Sequence, residues 1–106
     1  MATYINKEIA GFAKTLIIDI AETMSGLCLW ANIKGGKINE DRTSYDSITV
    51  EDMEKGITKT LTLRDIELAT NKLSLREIKA LRAGDFDWMM ADKVLQLAMH
   101  KKVIYG

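Results

Sequence analysis

Ile5, Ile9, Phe12, Ala13, Leu16, Ile17, Ile20, Met24 and Leu27 recur three or four positions apart. That spacing puts them on one stripe of a helix of period 3.6, whereas a strand would scatter them over both of its faces. Asn6 stands where an N-cap belongs and Gly26 where a left-handed terminating residue belongs, so the pattern predicts a helix from about Lys7 to Ser25. Lys14, Asp19 and Glu22 fall on its wet side, with Ile18 near them as the start of a second apolar face. So long an amphipathic helix has to be covered, and the remaining sequence must supply the cover.

Beyond the helix the period shortens. Leu27 to Ile33 reads as a strand rich in Leu, Trp and Ile, and Lys34-Gly35-Gly36-Lys37 suits the positive φ of a hairpin turn; Ile38 to Ser44 is polar and reads as loop. Tyr45 to Glu51 and Ile57 to Leu63 alternate and are rich in β-branched residues. They are joined by the five residues Asp52-Met53-Glu54-Lys55-Gly56, the pattern of a small antiparallel sheet.

The last third turns helical. Thr62 with Asp65, and Ser74 with Glu77, repeat the capping-box spacing and predict two short helices, the second ended by Gly84. Asp85 or Asp87 caps a third, from about Asp87 to Lys101, and Val103-Ile104-Tyr105 is expected to add an edge strand. Met89, Met90, Val94, Leu95, Leu97, Ala98 and Met99 point nearly all round that third helix, so it is expected to be covered on more than one side, by its own core or by another chain. Together these patterns give an α+β fold: a long N-terminal helix, a small antiparallel sheet and C-terminal helices.

At 106 residues, with no proline, no repeat and no low-complexity linker, a single domain over 1–106 is expected. Such a chain buries roughly 65% of its unfolded surface, enough for one core. Fifteen Lys and Arg balance fifteen Asp and Glu. The balance argues against a polyanion mimic or a basic nucleic-acid coat, both of which need a strong field of one sign. Residues 1–53 carry net −3 and 54–106 net +3, a mild dipole rather than a polybasic arm. The apolar stretch Leu16 to Ile20 is broken by Asp19 and has no small-residue cleavage pattern after it, so no signal peptide is read there, and the longest uncharged run is too short to span a bilayer. One cysteine makes no internal disulfide, which fits a reducing cytoplasm.

Catalytic patterns are scarce. Cys28 lies between Leu27 and Leu29, where a thiol behaves as a small buried hydrophobe, and the one histidine, His100, sits at a helix C-terminus beside Lys101 and Lys102, a favourable place for a cation. Glu51, Asp52 and Glu54 lack the ligand spacing of a calcium loop and read as solvated carboxylates; Asp85 and Asp87 read as caps. Neither an enzyme nor a metal or cofactor site is expected.

Three binding readings are left. The first is a protein interface through Trp30, Phe86, Trp88, Met89 and Met90, since Met and aromatic side chains suit adaptable recognition surfaces; the two-sided final helix adds the expectation of a homo-oligomer, most simply a dimer. In the second, Lys72, Arg76 and Lys79 at i, i+4 and i+7, with Arg82 nearby, form a basic stripe that would meet nucleic-acid phosphates, a reading disfavoured by the weak net charge. The third is a small-ligand or nucleotide site at Lys34, Gly35, Gly36 and Lys37.

Gly84-Asp85-Phe86-Asp87, Ala91-Asp92, Val94-Leu95-Gln96-Leu97-Ala98 and Val103-Ile104-Tyr105-Gly106 resemble the end of small uncharacterised accessory proteins encoded by tailed phages. The resemblance covers the last quarter of the chain. It implies a non-catalytic factor that binds or inhibits a host or defence protein, and it assigns a role to no individual residue.

Overall fold

A computed structural model describes residues 4–27 and 30–105. Seven elements follow in chain order: α1 (Lys7–Leu27), β1 (Ala31–Ile38), β2 (Tyr45–Asp52), β3 (Ile57–Thr62), α2 (Leu63–Thr70), α3 (Leu75–Arg82) and α4 (Trp88–His100). The fold is α+β, with an antiparallel sheet of order β1-β2-β3. Asn6 caps α1 as its sequence position implies, its Oδ1 accepting the Ile9 N–H at 2.8 Å. The helix runs through Gly26 to Leu27, slightly past the predicted end.

Alternation along β2 explains the layering. Ile48, Val50 and Asp52 are buried on one face while the residues between them stay half-exposed, so the sheet is covered on one side only. The covering layer is α1, α2 and α4. Ile9, Ala13, Leu16, Ile17 and Ile20 of α1 join Ile48 and Val50 of the sheet, Ile66 of α2 and Val94, Leu95 and Met99 of α4 in one core.

The glycine pair does not turn the chain. Gly35 and Gly36 lie inside β1, and among the described residues the glycines of positive φ are Gly56 and Gly84. A primed turn requires positive φ, which Gly35 and Gly36 lack. They accommodate a register shift between Ile33 and Gly35 and a close approach: a Cβ on Gly36 would stand 2.9 Å from Cδ1 of Tyr45. The reversal lies at 39–44, where Asn39 Oδ1 accepts the N–H groups of Thr43 and Ser44 and Arg42 adopts φ 60°. The β2 to β3 hairpin matches the predicted one to within a residue, β2 running on to Asp52 and β3 ending at Thr62, and it is closed by Gly56 at φ 67°.

Both capping boxes are formed, by Thr62 with Asp65 on α2 and by Ser74 with Glu77 on α3. Asp87 caps α4 by accepting the Met90 N–H at 2.8 Å. Each cap satisfies N–H groups that have no partner within the helix; replacing one by Ala costs about 1 kcal/mol.

Residues 103–105 form no strand. The segment after α4 folds back onto Gln96, whose Oε1 accepts the N–H groups of Ile104 and Tyr105. The perimeter of α4 is likewise divided within the chain: Ala91, Val94, Leu95, Ala98 and Met99 enter the core, and Gln96 takes the segment 104–105. Of the apolar residues that predicted a second cover for α4, Val94, Leu95, Ala98 and Met99 are thus buried within this chain, Met90 and Leu97 are half-buried, and Met89 is exposed beside Trp88.

Candidate functional site

Asp52 ends β2 on the buried side of the sheet, where its carboxylate is wholly enclosed. Its Oδ1 accepts the N–H groups of Glu54 and Lys55, both at 2.9 Å, which shapes the hairpin loop. Its Oδ2 lies 2.7 Å from His100 Nε2 and accepts the Tyr105 hydroxyl at 2.7 Å. The carboxylate thus joins a hairpin, the last turn of α4 and the segment beyond it.

Trp30 forms the apolar wall of this site. The Tyr105 ring stacks on it with centroids 4.9 Å apart and planes at 29°, and the His100 ring lies tilted at 5.7 Å. The indole N–H donates to Asp92 Oδ1 at 2.7 Å, and Asp92 Oδ2 accepts Gln96 Nε2 at 3.1 Å. One turn of α4 separates Asp92 from Gln96, so one helix face orients both the indole and the returning segment. Among the described residues no buried side-chain nitrogen or oxygen lacks a hydrogen-bond partner.

The electrostatics follow from this enclosure. Burial pushes the Asp52 carboxyl up, but the Tyr105, Lys55, His100 and Glu54 donors outweigh it and hold the group below the usual aspartate value. Burial, then the hydrogen bond and charge of Asp52 and the charge of Glu54, push the Tyr105 phenol up to about 12. A carboxylate kept ionised beside a phenol kept protonated makes a strong, oriented hydrogen bond. The arrangement fixes protons in place and ties the hairpin, α4 and the segment beyond it together.

The expected interface residues do not share one surface. Trp30 is 5% exposed and belongs to the core, drawn there by its stacking partners and by Asp92. Trp88 and Met89 are 55% and 64% exposed at the start of α4, with Phe86 and Met90 half-buried beside them and Phe86 edge-on to Phe12 at 5.9 Å. The basic stripe is also broken up. Lys72 lies in the turn after α2 and Arg76 and Lys79 on α3, because the Ser74 cap starts a new helix between them; Arg82 is held bidentately by Glu8 at 2.7 and 2.8 Å. Lys34, Gly35 and Gly36 border an open depression with Ile33, Ile38 and Tyr45, with Lys34 Nζ 3.9 Å from Glu51, while Lys37 stands in the same strand opposite Ser47. The element that follows the pair among the described residues is strand β2, not the helix N-terminus of a phosphate-cradling loop.

Asp52 and His100 correct two further expectations. Asp52 is not a solvated loop carboxylate, and His100, although in the last turn of α4 as expected, directs its ring at Asp52. The residues lie 48 positions apart, and no local motif links them. Cys28 lies outside the described residues. Among the described residues no group of three or more His, Cys, Asp and Glu is arranged to hold a metal ion, and no helix is long and apolar enough to cross a membrane. No protein-family model, curated protein or solved structure matches the chain.

Proposed function

We propose that this chain is a small non-catalytic protein-binding module that docks through the corner at the start of α4. The exposure of two consecutive large apolar residues, Trp88 and Met89, carries this reading. The Asp87 cap and the half-buried Phe86 and Met90 hold the backbone beneath them, so the indole is presented on an ordered base. A tryptophan so placed gives a large contact area at little entropic cost, the property of an interface anchor. In the same reading, self-association into a dimer runs through this corner as well. The resemblance of the last quarter to tailed-phage accessory proteins supports a host enzyme or defence component as partner, met in the cytoplasm.

The test compares the unaltered chain with Trp88→Ala in thermal melting and in pull-down from host lysate with mass spectrometry. The expected result is an unchanged melting curve and loss of the captured partner, with binding weakened by about 2 kcal/mol or more, roughly thirtyfold in Kd. Capture that is indifferent to Trp88 overturns the proposal.

A further inference from the structure

The segment 101–105 lies in its slot as a bound peptide would. Gln96, 1% exposed, accepts the N–H groups of Ile104 and Tyr105 at 2.9 and 2.8 Å and donates to the Tyr105 carbonyl at 3.3 Å. One side-chain amide thereby reads main chain, as a neighbouring strand would, without regard to sequence. Side-chain selection comes from elsewhere: Trp30 stacks on the tyrosine ring and Asp52 accepts its hydroxyl.

Two observations separate the slot from what fills it. Its walls have partners of their own: Asp52 is held by the Glu54 and Lys55 N–H groups and His100, the Trp30 indole by Asp92, and Gln96 Nε2 by Asp92. The filling segment has no regular structure, leaves Lys102 and Val103 exposed, and follows directly on the left-handed C-cap of α4 at Lys101 (φ 66°), whose N–H is held by the Leu97 carbonyl. Lifting the segment away keeps the α4 cap at Lys101 and the contacts of Asp52 with His100 and of Trp30 with Asp92, and frees Gln96 Oε1 and Asp52 Oδ2 to accept from another chain.

We infer that the slot formed by Trp30, Asp52 and Gln96 is a recognition site for an extended segment bearing an unmodified tyrosine. Residues 101–105 fill it in cis, and a tyrosine-bearing segment of a partner protein fills it when they lift away. The buried carboxylate sets the specificity: it accepts a phenol, repels a phosphotyrosine and leaves a phenylalanine without its hydrogen bond. Gln96 lies about 12 Å along α4 from Trp88, and none of the slot's three residues belongs to the apolar corner.

The experiment uses the full chain carrying Tyr105→Ala and an acetylated, amidated synthetic peptide of residues 102–106. Two-dimensional NMR follows the two indole N–H signals, Trp30 reporting the slot and Trp88 serving as internal control. The peptide is expected to move the Trp30 signal in a saturable manner and leave Trp88 in place. Peptides with phosphotyrosine or phenylalanine at the tyrosine position should bind at least tenfold more weakly, and adding Gln96→Ala should abolish the response. A folded Tyr105→Ala chain whose Trp30 signal does not respond to millimolar peptide overturns the inference. If that variant does not fold, hydrogen exchange in the unaltered chain decides. The Ile104 and Tyr105 amides are then expected to exchange at least tenfold faster than those of 94–99, and equal rates would show that the segment opens only with the whole domain, overturning the inference.

Discussion

Tyr105 donates its hydroxyl to Asp52 at 2.7 Å across 53 positions of sequence, closing the chain's last described residue onto the end of its central strand. His100 meets the same carboxylate oxygen at 2.7 Å, so one atom fixes both the last turn of α4 and the segment after it. The consequences are thermodynamic, because a phenol and a carboxylate so paired titrate differently in the folded and unfolded chain.

The alkaline limb follows from Tyr105. Its pKa is raised from 10.0 to about 12, so the folded state holds the phenolic proton more tightly than the unfolded state. The resulting stability is fully present below pH 10 and is lost as pH rises from 10 through about 12. Urea unfolding of Tyr105→Phe is expected to show a lower midpoint at pH 8 and a flatter decline between pH 10 and 12. An unchanged alkaline limb would place the titration elsewhere.

On the acid side the sign reverses. Asp52 is depressed in the folded chain, so its contribution is present above the unfolded aspartate value and disappears as pH falls through that value toward the lower folded one. Glu77 adds a second such group: burial raises it, but the Lys93 ammonium at 2.7 Å and the Ser74 bonds lower it further. Asp52→Asn should flatten stability against pH below about 4, leaving the part due to Glu77 and to the exposed Glu8 and Asp41, which Arg82 and Thr43 also hold below their usual values. Asp52→Ala, which strands four donors, should cost about 3 to 5 kcal/mol at pH 7 by chemical denaturation.

Local patterns were legible in the sequence, and contacts across the chain were not. Asn6, Thr62, Ser74 and Asp87 cap helices because capping depends on residues within three positions, and the alternation of β2 shows its buried face for the same reason. Gly35-Gly36 misled because glycine permits both a primed turn and a strand passing under an aromatic ring, and Tyr45, which decides between them, comes nine residues after Gly36. The Trp30, Asp52, His100 and Tyr105 cluster draws on the β1 entry, the hairpin, α4 and the segment beyond it; one histidine and one aspartate far apart carry no spacing that could announce it. Trp88 and Trp30 were indistinguishable as residue types, and only the surroundings separate them.

The glycine reading is open to direct test. Gly36→Ala places a methyl 2.9 Å from the Tyr45 ring and should destabilise by about 1 to 3 kcal/mol. Gly35→Ala meets nothing within 4 Å and has no positive φ. It should be neutral or stabilising by about 0.4 to 1 kcal/mol, because alanine has fewer unfolded conformations to lose. Equal losses from the two substitutions, measured by thermal and urea unfolding, would contradict the strand assignment.

The two tryptophans provide the sharpest comparison. Trp30, 5% exposed, stacks on Tyr105 and donates to Asp92, so Trp30→Ala removes a core wall together with the ring stacking and the indole hydrogen bond; the expected loss is about 3 to 5 kcal/mol. Trp88, 55% exposed, lies at the first position of α4, where alanine is at least as good a helix former, and Trp88→Ala should change stability by no more than about 0.5 kcal/mol. The same pair separates their roles in fluorescence, because acrylamide should quench Trp88 readily and Trp30 weakly. If Trp88→Ala instead destabilises the domain by several kcal/mol, the residue is part of the core, and the docking corner at the start of α4 loses its anchor.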